Sequence, residues 1–186
     1  MNINLQTTLR AIDKKLSLPD TPENLRKAYD QTLRLRNQLL GVINDREAFG
    51  ISDGVKLADT LSDGHAMPES VTLTIREPLP SMKELTSALQ LHWTDLLQSA
   101  IKKLKTKPPY FQKALVWIEV TTPRGTNNAQ LWDTSNRAIN LIINNLKGVF
   151  FDDDNHEHMA FGVSGRWGED GKTVIKVLPY DDLKNS

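Results

Sequence analysis

The chain has no cysteine. That excludes disulfides and thiolate metal sites and makes a reducing cytoplasm the expected compartment. It also has no net charge, with 23 basic residues against 23 acidic, and the signs balance on both sides of Met67. Phosphate neutralisation drives nucleic-acid affinity, so a committed binder usually carries a basic excess. Any DNA site here has to be a local patch. No apolar run reaches transmembrane length, and Met1-Asn2-Ile3-Asn4 opens no signal peptide. Phosphate-cradling glycine loops and nucleophile elbows are missing as well. What is present, 186 residues with 39% hydrophobic and 25% charged, is the ordinary makeup of a globular protein of one domain, or a domain with an appendage.

The first 66 residues read as a helical hairpin plus linker. Leu5, Leu9, Ile12 and Leu16 make a narrow helical stripe. Thr21 as N-cap and Pro22 at the first helical position announce a second helix running to about Asp45, with Leu25, Tyr29, Leu33, Leu39, Leu40 and Ile43 inward. The short connection makes the helices antiparallel neighbours. Two helices alone bury too little surface to be stable, so the hairpin needs the rest of the chain or a partner. Residues 49–65, with Gly50, Gly54 and Gly64, read as a linker holding one helical turn near Val55 to Leu61.

Residues 67–186 read as an α+β domain, a small mixed sheet with packed helices. Ser70 to Arg76 alternates apolar and polar as a strand does, and Pro78 and Pro80 end it. Ser81-Met82-Lys83-Glu84 is a capping box, predicting a helix with Leu89, His92, Trp93, Leu96, Leu97 and Ala100 on its buried face. Lys102, Lys103, Lys105 and Lys107 close that helix ahead of Pro108-Pro109. They are either a solvated helix end, where cations are favoured, or a phosphate-contacting patch. Gln112 to Thr122 is apolar on both faces, which predicts a central strand. Met159 to Trp167 and Thr173 to Val177 are two further strands, and Asp170-Gly171 between them is a hairpin signal.

The stretch carrying the most chemistry is Asp133-Thr134-Ser135-Asn136, then an amphipathic run to Gly148, then Phe150-Phe151-Asp152-Asp153-Asp154. Ala138, Ile139, Ile142, Ile143 and Leu146 form one stripe, and Lys147-Gly148 is a C-terminal signature. Acids therefore stand at both ends of one predicted helix, roughly 18 Å long. If the fold returns the following segment, Asp133 with one or two of Asp152, Asp153 and Asp154 can share a hard divalent cation, Mg²⁺ or Mn²⁺. Otherwise Asp133 is an N-cap and the triple Asp a solvated turn. Arg124 and Arg137 are the nearest cations in sequence, suited to a phosphate or to ion pairs with the acids. His156 and His158 alternate after the acids with no third transition-metal ligand in view.

This stretch resembles the RusA-like Holliday junction resolvases, small phage-derived endonucleases acting on branched DNA. Asp133, Asn136, Gly148, Phe150, Asp152 and Asp153 match the family pattern, and the element order with its Pro-rich exit from the first strand extends the likeness over about residues 68–179. The resemblance implies a homodimer cleaving four-way junctions in recombination and repair, with Asp133, Asp153 and the neighbouring Asp152 on Mg²⁺. Lys102, Lys103, Lys105, Lys107, Arg124 and Arg137 would contact phosphates. Two positions depart from the pattern: Ser135 replaces the family's second metal-binding Asp, and Asn140 its helical Lys. Ser is a weak neutral ligand, so the alternative is a decayed module that binds DNA or protein without cutting. Glu157 and Asp154 are the candidates to replace the missing carboxylate.

Overall fold

The strand expected at Ser70–Ile75 is the one the sheet is assembled on. The computed structural model describes residues 5–50, 56–123 and 136–180. In it β2 (Ser70–Ile75) points Val71, Leu73 and Ile75 inward, all fully buried, while Thr72 and Thr74 stay partly open. β1 (Ser62–Met67), β3 (Ala114–Pro123), β4 (Met159–Gly168) and β5 (Lys172–Pro179) complete a five-stranded mixed sheet in the order β1-β2-β5-β3-β4. Only β3 and β4 are parallel. The class is α+β, as expected from the sequence.

On β3, Ala114, Val116, Ile118 and Val120 continue the buried face, and on β5 Thr173, Ile175 and Val177 do. Burying each of the larger aliphatic side chains contributes about 1.5–3 kcal/mol, so this layer dominates the stability of the sheet. The other side of the core comes from α4 (Ser87–Lys102), through Trp93, Leu96, Leu97 and Ala100, and from α5 (Ile139–Leu146), through Leu141, Ile142, Ile143 and Leu146. Gly64 of β1 explains how closely α4 approaches: a Cβ there would stand 2.1 Å from the Ala100 carbonyl oxygen.

Four sequence expectations change. The segment read as a linker up to His65 contains α3 (Leu57–Leu61), where a helical turn was expected, and then β1, paired antiparallel to β2 along its whole length. A polar Ser-Asp-Gly-His run carries no strand signal, and the pairing comes from its partner. The capping box at Ser81 opens no helix. Glu84 does accept the Ser81 N–H at 3.0 Å, but Ser81 is bridged to Arg137, and α4 starts six residues later, with Thr86 Oγ1 accepting the Leu89 N–H at 3.3 Å. The helix also ends at Lys102 rather than at the prolines. Finally, β4 and β5 are not a hairpin. β3 lies between them, parallel to β4 and antiparallel to β5. Three linking residues can span about 10 Å, two strand spacings, so Asp170-Gly171 turns the chain over the end of β3 instead of pairing its flanks.

The chain divides into two compact units, residues 1–54 with 86–92, and residues 55–85 with 93–186. The first holds α1 (Leu5–Leu16) and α2 (Pro22–Ala48). Thr21 caps α2 as expected, accepting the Asn24 N–H. The apolar stripe of α1 is not its contact face, because Leu9 and Leu16 are 51% and 61% exposed while Thr8 is buried. Thr8 donates to Gln38 Oε1 at 2.9 Å, joining α1 to α2 through a polar pair, while Leu5 and Ile12 are half-buried. On α2, Ala28 and Leu40 are buried, whereas Leu25, Tyr29 and Leu39, expected inward, are exposed.

The acidic turn as a candidate functional site

α5 ends as its sequence predicts, with Gly148 at φ +74, in the left-handed region that a side chain makes costly. Reversal there sends Phe150 and Phe151, both fully buried, back into the core. Gly148 N–H donates to the Phe151 carbonyl at 2.8 Å and Phe111 N–H to the Phe150 carbonyl at 2.8 Å, fixing the backbone on both sides of the aromatic pair. The acids follow at once, so Asp152, Asp153 and Asp154 leave the core in a fixed direction.

Each acid then finds a partner. Tyr110 donates its hydroxyl to Asp152 Oδ1, and His158 Nε2 lies 4.0 Å from Asp152 Oδ2. The Asp152 carboxylate holds the Tyr110 phenol above its usual range. Lys147, just past the end of α5, bonds Asp153 Oδ1 and lies 3.1 Å from Asp154 Oδ1. That ammonium, helped by the Asp154 backbone, holds the Asp153 carboxyl well below the usual carboxylate range, and Asp153 in turn raises Lys147. Asn155 ties the turn together. Its amide donates to Asp153 Oδ2 at 3.0 Å, and its Oδ1 accepts the Glu157 N–H at 2.9 Å and lies 3.0 Å from His158 Nδ1. Sequence reasoning missed Tyr110, Lys147 and Asn155 as members of this cluster. Lys147 was legible as the residue that caps the helix beside three acids.

The remaining sequence candidates fall in different places. Asp133, Ser135 and Arg124 lie outside the described residues. Arg137 donates Nη1 to the Leu79 carbonyl at 2.6 Å, where residues 80–82 and 136–138 run together through Met82 N–H to the Asn136 carbonyl and Ala138 N–H to the Pro80 carbonyl. Lys103 caps α3, its ammonium bonding the Asp59 carbonyl and the Ser62 carbonyl at 2.7 Å. The same junction is closed by Ser62 Oγ donating to the Ala58 carbonyl and Ser99 Oγ donating to Asp59 Oδ1. Lys102, Lys105 and Lys107 are exposed.

Carboxylates are the donors a hard cation takes. Asp152 and Asp153 supply two, but an ammonium already sits on Asp153. Among the described residues no group of three or more His, Asp or Glu is placed to hold a metal ion. The described residues alone therefore do not make a complete donor set. No described helix is long and apolar enough to cross a membrane. The chain matches no protein-family model, and no curated protein matches it.

Proposed function

We propose that this chain is a RusA-like module that recognises branched DNA as a homodimer in a reducing cytoplasm, with the acidic turn as its reaction centre if it cleaves. The observation that carries the reading is the buried Phe150-Phe151 pair, which follows Gly148 and projects Asp152 and Asp153 from a fixed backbone. The order of elements from Ser70 onward, β2, α4, β3, α5, β4, β5, supports it as well. In this reading Asp152 and Asp153, with Asp133 of the resembled pattern, would hold Mg²⁺, whose chemistry when bound is charge neutralisation at a phosphate and a more acidic water. The chain's own residues would orient that turn, through Asn155, and place exposed Lys102, Lys105 and Lys107 for phosphate contacts.

A second reading, binding without cleavage, is favoured by Lys147. Its ammonium bridges Asp153 and Asp154, the place a cation would take, and Ser135 removes a carboxylate from the family pattern. The two readings separate in one assay. A synthetic four-way junction is incubated with Mg²⁺ or Mn²⁺, beside Asp133→Asn and Asp153→Asn, with a gel shift in EDTA. Metal-dependent cutting lost in both variants supports the nuclease. A shift without cutting supports the binding module, and the absence of both cutting and a shift overturns the DNA reading.

A further inference from the structure

We infer that the outer face of the sheet is a stacking platform for a short single-stranded DNA segment, centred on Trp117. The inference rests on the DNA-binding part of the proposed function and is independent of cleavage. Alternation gives the sheet two unlike sides. Opposite the buried layer, the register aligns Thr72 of β2, Lys176 of β5, Trp117 of β3 and Gly162 of β4 in one row across the sheet. Trp117 remains 39% exposed in the interior of that face, on a strand with neighbours on both sides. Its ring lies over β4 because residue 162 has no side chain: a Cβ there would stand 2.4 Å from Cζ3 and 2.6 Å from Cε3 of the indole. The glycine thus lets a large aromatic ring cover the backbone of the neighbouring strand while leaving part of its surface to solvent.

Charge selects the occupant. Lys176 is exposed at the register position next to Trp117, and Lys172 lies further along β5, opposite Thr121. Glu119, the acid two residues along β3 on the same face, is paired with Arg166 at 2.9 Å, and Arg166 also donates to Thr121. The face therefore presents an open aromatic surface beside Lys176 and Lys172, neither of which has an ion pair among the described residues, with exposed Asp63 further off on β1. An aromatic surface beside cations is the combination that tracks a sugar-phosphate backbone while stacking bases without regard to sequence. A patch of this kind needs no basic excess elsewhere in the chain.

Anisotropy of a fluorescent twelve-nucleotide oligothymidine and of a labelled four-way junction, both in EDTA with the full chain, tests this. Wild type is expected to bind both. Trp117→Ala is expected to weaken the oligothymidine by about 5-fold to 100-fold, the range for loss of one stacked base. Trp117→Phe should recover much of that loss, and Lys176→Glu should weaken binding and flatten its salt dependence. Far-UV circular dichroism confirms that each variant is folded. Oligothymidine binding within about 2-fold of wild type in both Trp117→Ala and Lys176→Glu overturns the platform, as does a change of oligomeric state in Trp117→Ala with unchanged DNA binding, which would make the face a protein interface. Junction binding by a wild type that ignores oligothymidine overturns the platform alone. Binding of neither overturns the DNA reading as well.

Discussion

Trp117 and Ile118 are adjacent in the chain and lie on opposite sides of one sheet, and the difference between them separates what holds this protein together from what it offers to a partner. Ile118 is fully buried, beside Ile175 of β5, which is also at zero exposure. Trp117 is the larger hydrophobe and is left partly open, among threonines, lysines and a glycine. Hydrophobicity alone would have ordered them the other way. Register and the helices decide it, because α4 and α5 cover the face that Ile118 shares.

The sharpest test is to truncate each neighbour in turn. Ile118→Ala should cost about 4 kcal/mol, the lost transfer energy plus the cavity left in a core that relaxes poorly. Trp117→Ala, despite deleting more atoms, should cost less, about 2–3 kcal/mol, because the 39% of Trp117 already in water has no burial to lose. Urea unfolding with an unchanged m-value measures both. Equal costs would mean that the outer face is covered as tightly as the inner one and would break the comparison.

Glycines sharpen it further, because tightly overlaid ones stand on both faces, Gly64 on the inner one and Gly162 and Gly168 on the outer. At Gly64 the obstacle to a side chain is the Ala100 carbonyl, part of a helix backbone that cannot step aside. At Gly162 the obstacle is the far edge of the Trp117 ring, which can swing into solvent. Gly64→Ala should therefore cost about 2–3 kcal/mol, and Gly162→Ala about 1 kcal/mol. The second substitution should also change Trp117 fluorescence, measured against the other tryptophans by comparison with Trp117→Phe.

Much of the inner face was legible in the sequence, and little of the outer face was. Alternation in Ser70–Ile75 and the double-sided run at Val116-Trp117-Ile118 identified β2 and β3, and Lys147-Gly148 identified the end of α5. β1 was not legible, because Ser62–Met67 has no β-branched residue and is a strand through pairing with β2 and the room Gly64 makes for α4. The Asp170-Gly171 hairpin signal was overridden by a long-range preference, β3 inserting between β4 and β5, which no local pattern encodes. At Ser81 the capping signature is real chemistry, since Glu84 does bond Ser81, but the segment is held by pairing with residues 136–138 instead of continuing as a helix. Of the candidate site, the acids were readable and their partners were not: Tyr110 reaches Asp152 from 42 residues away, a contact that only the folded chain creates.

The smallest expected effect lies outside both faces, at Lys147 and Asp153. Asp153 has its carboxyl depressed below its ordinary value of 3.8 chiefly by the Lys147 hydrogen bond, and Lys147 is raised above its ordinary 10.5 chiefly by Asp153. A depressed carboxylate stabilises the fold above its unfolded value, and that contribution disappears as pH falls below about 3.8 toward the lower folded value. A raised ammonium contributes below its unfolded value and loses that contribution as pH climbs past about 10.5. Stability from this pair is thus flat through neutrality and falls only at the two extremes, and salt screens it because both groups are solvent-accessible. Lys147→Met should leave neutral-pH unfolding almost unchanged, in contrast to Ile118→Ala, while the Asp153 carboxyl, followed by carbon NMR, moves up toward its ordinary titration range. An Asp153 that already titrates normally in the wild type would show that the ammonium does not hold it in solution. The turn would then present Asp153 free for a cation, and the balance between the two functional readings would shift toward cleavage.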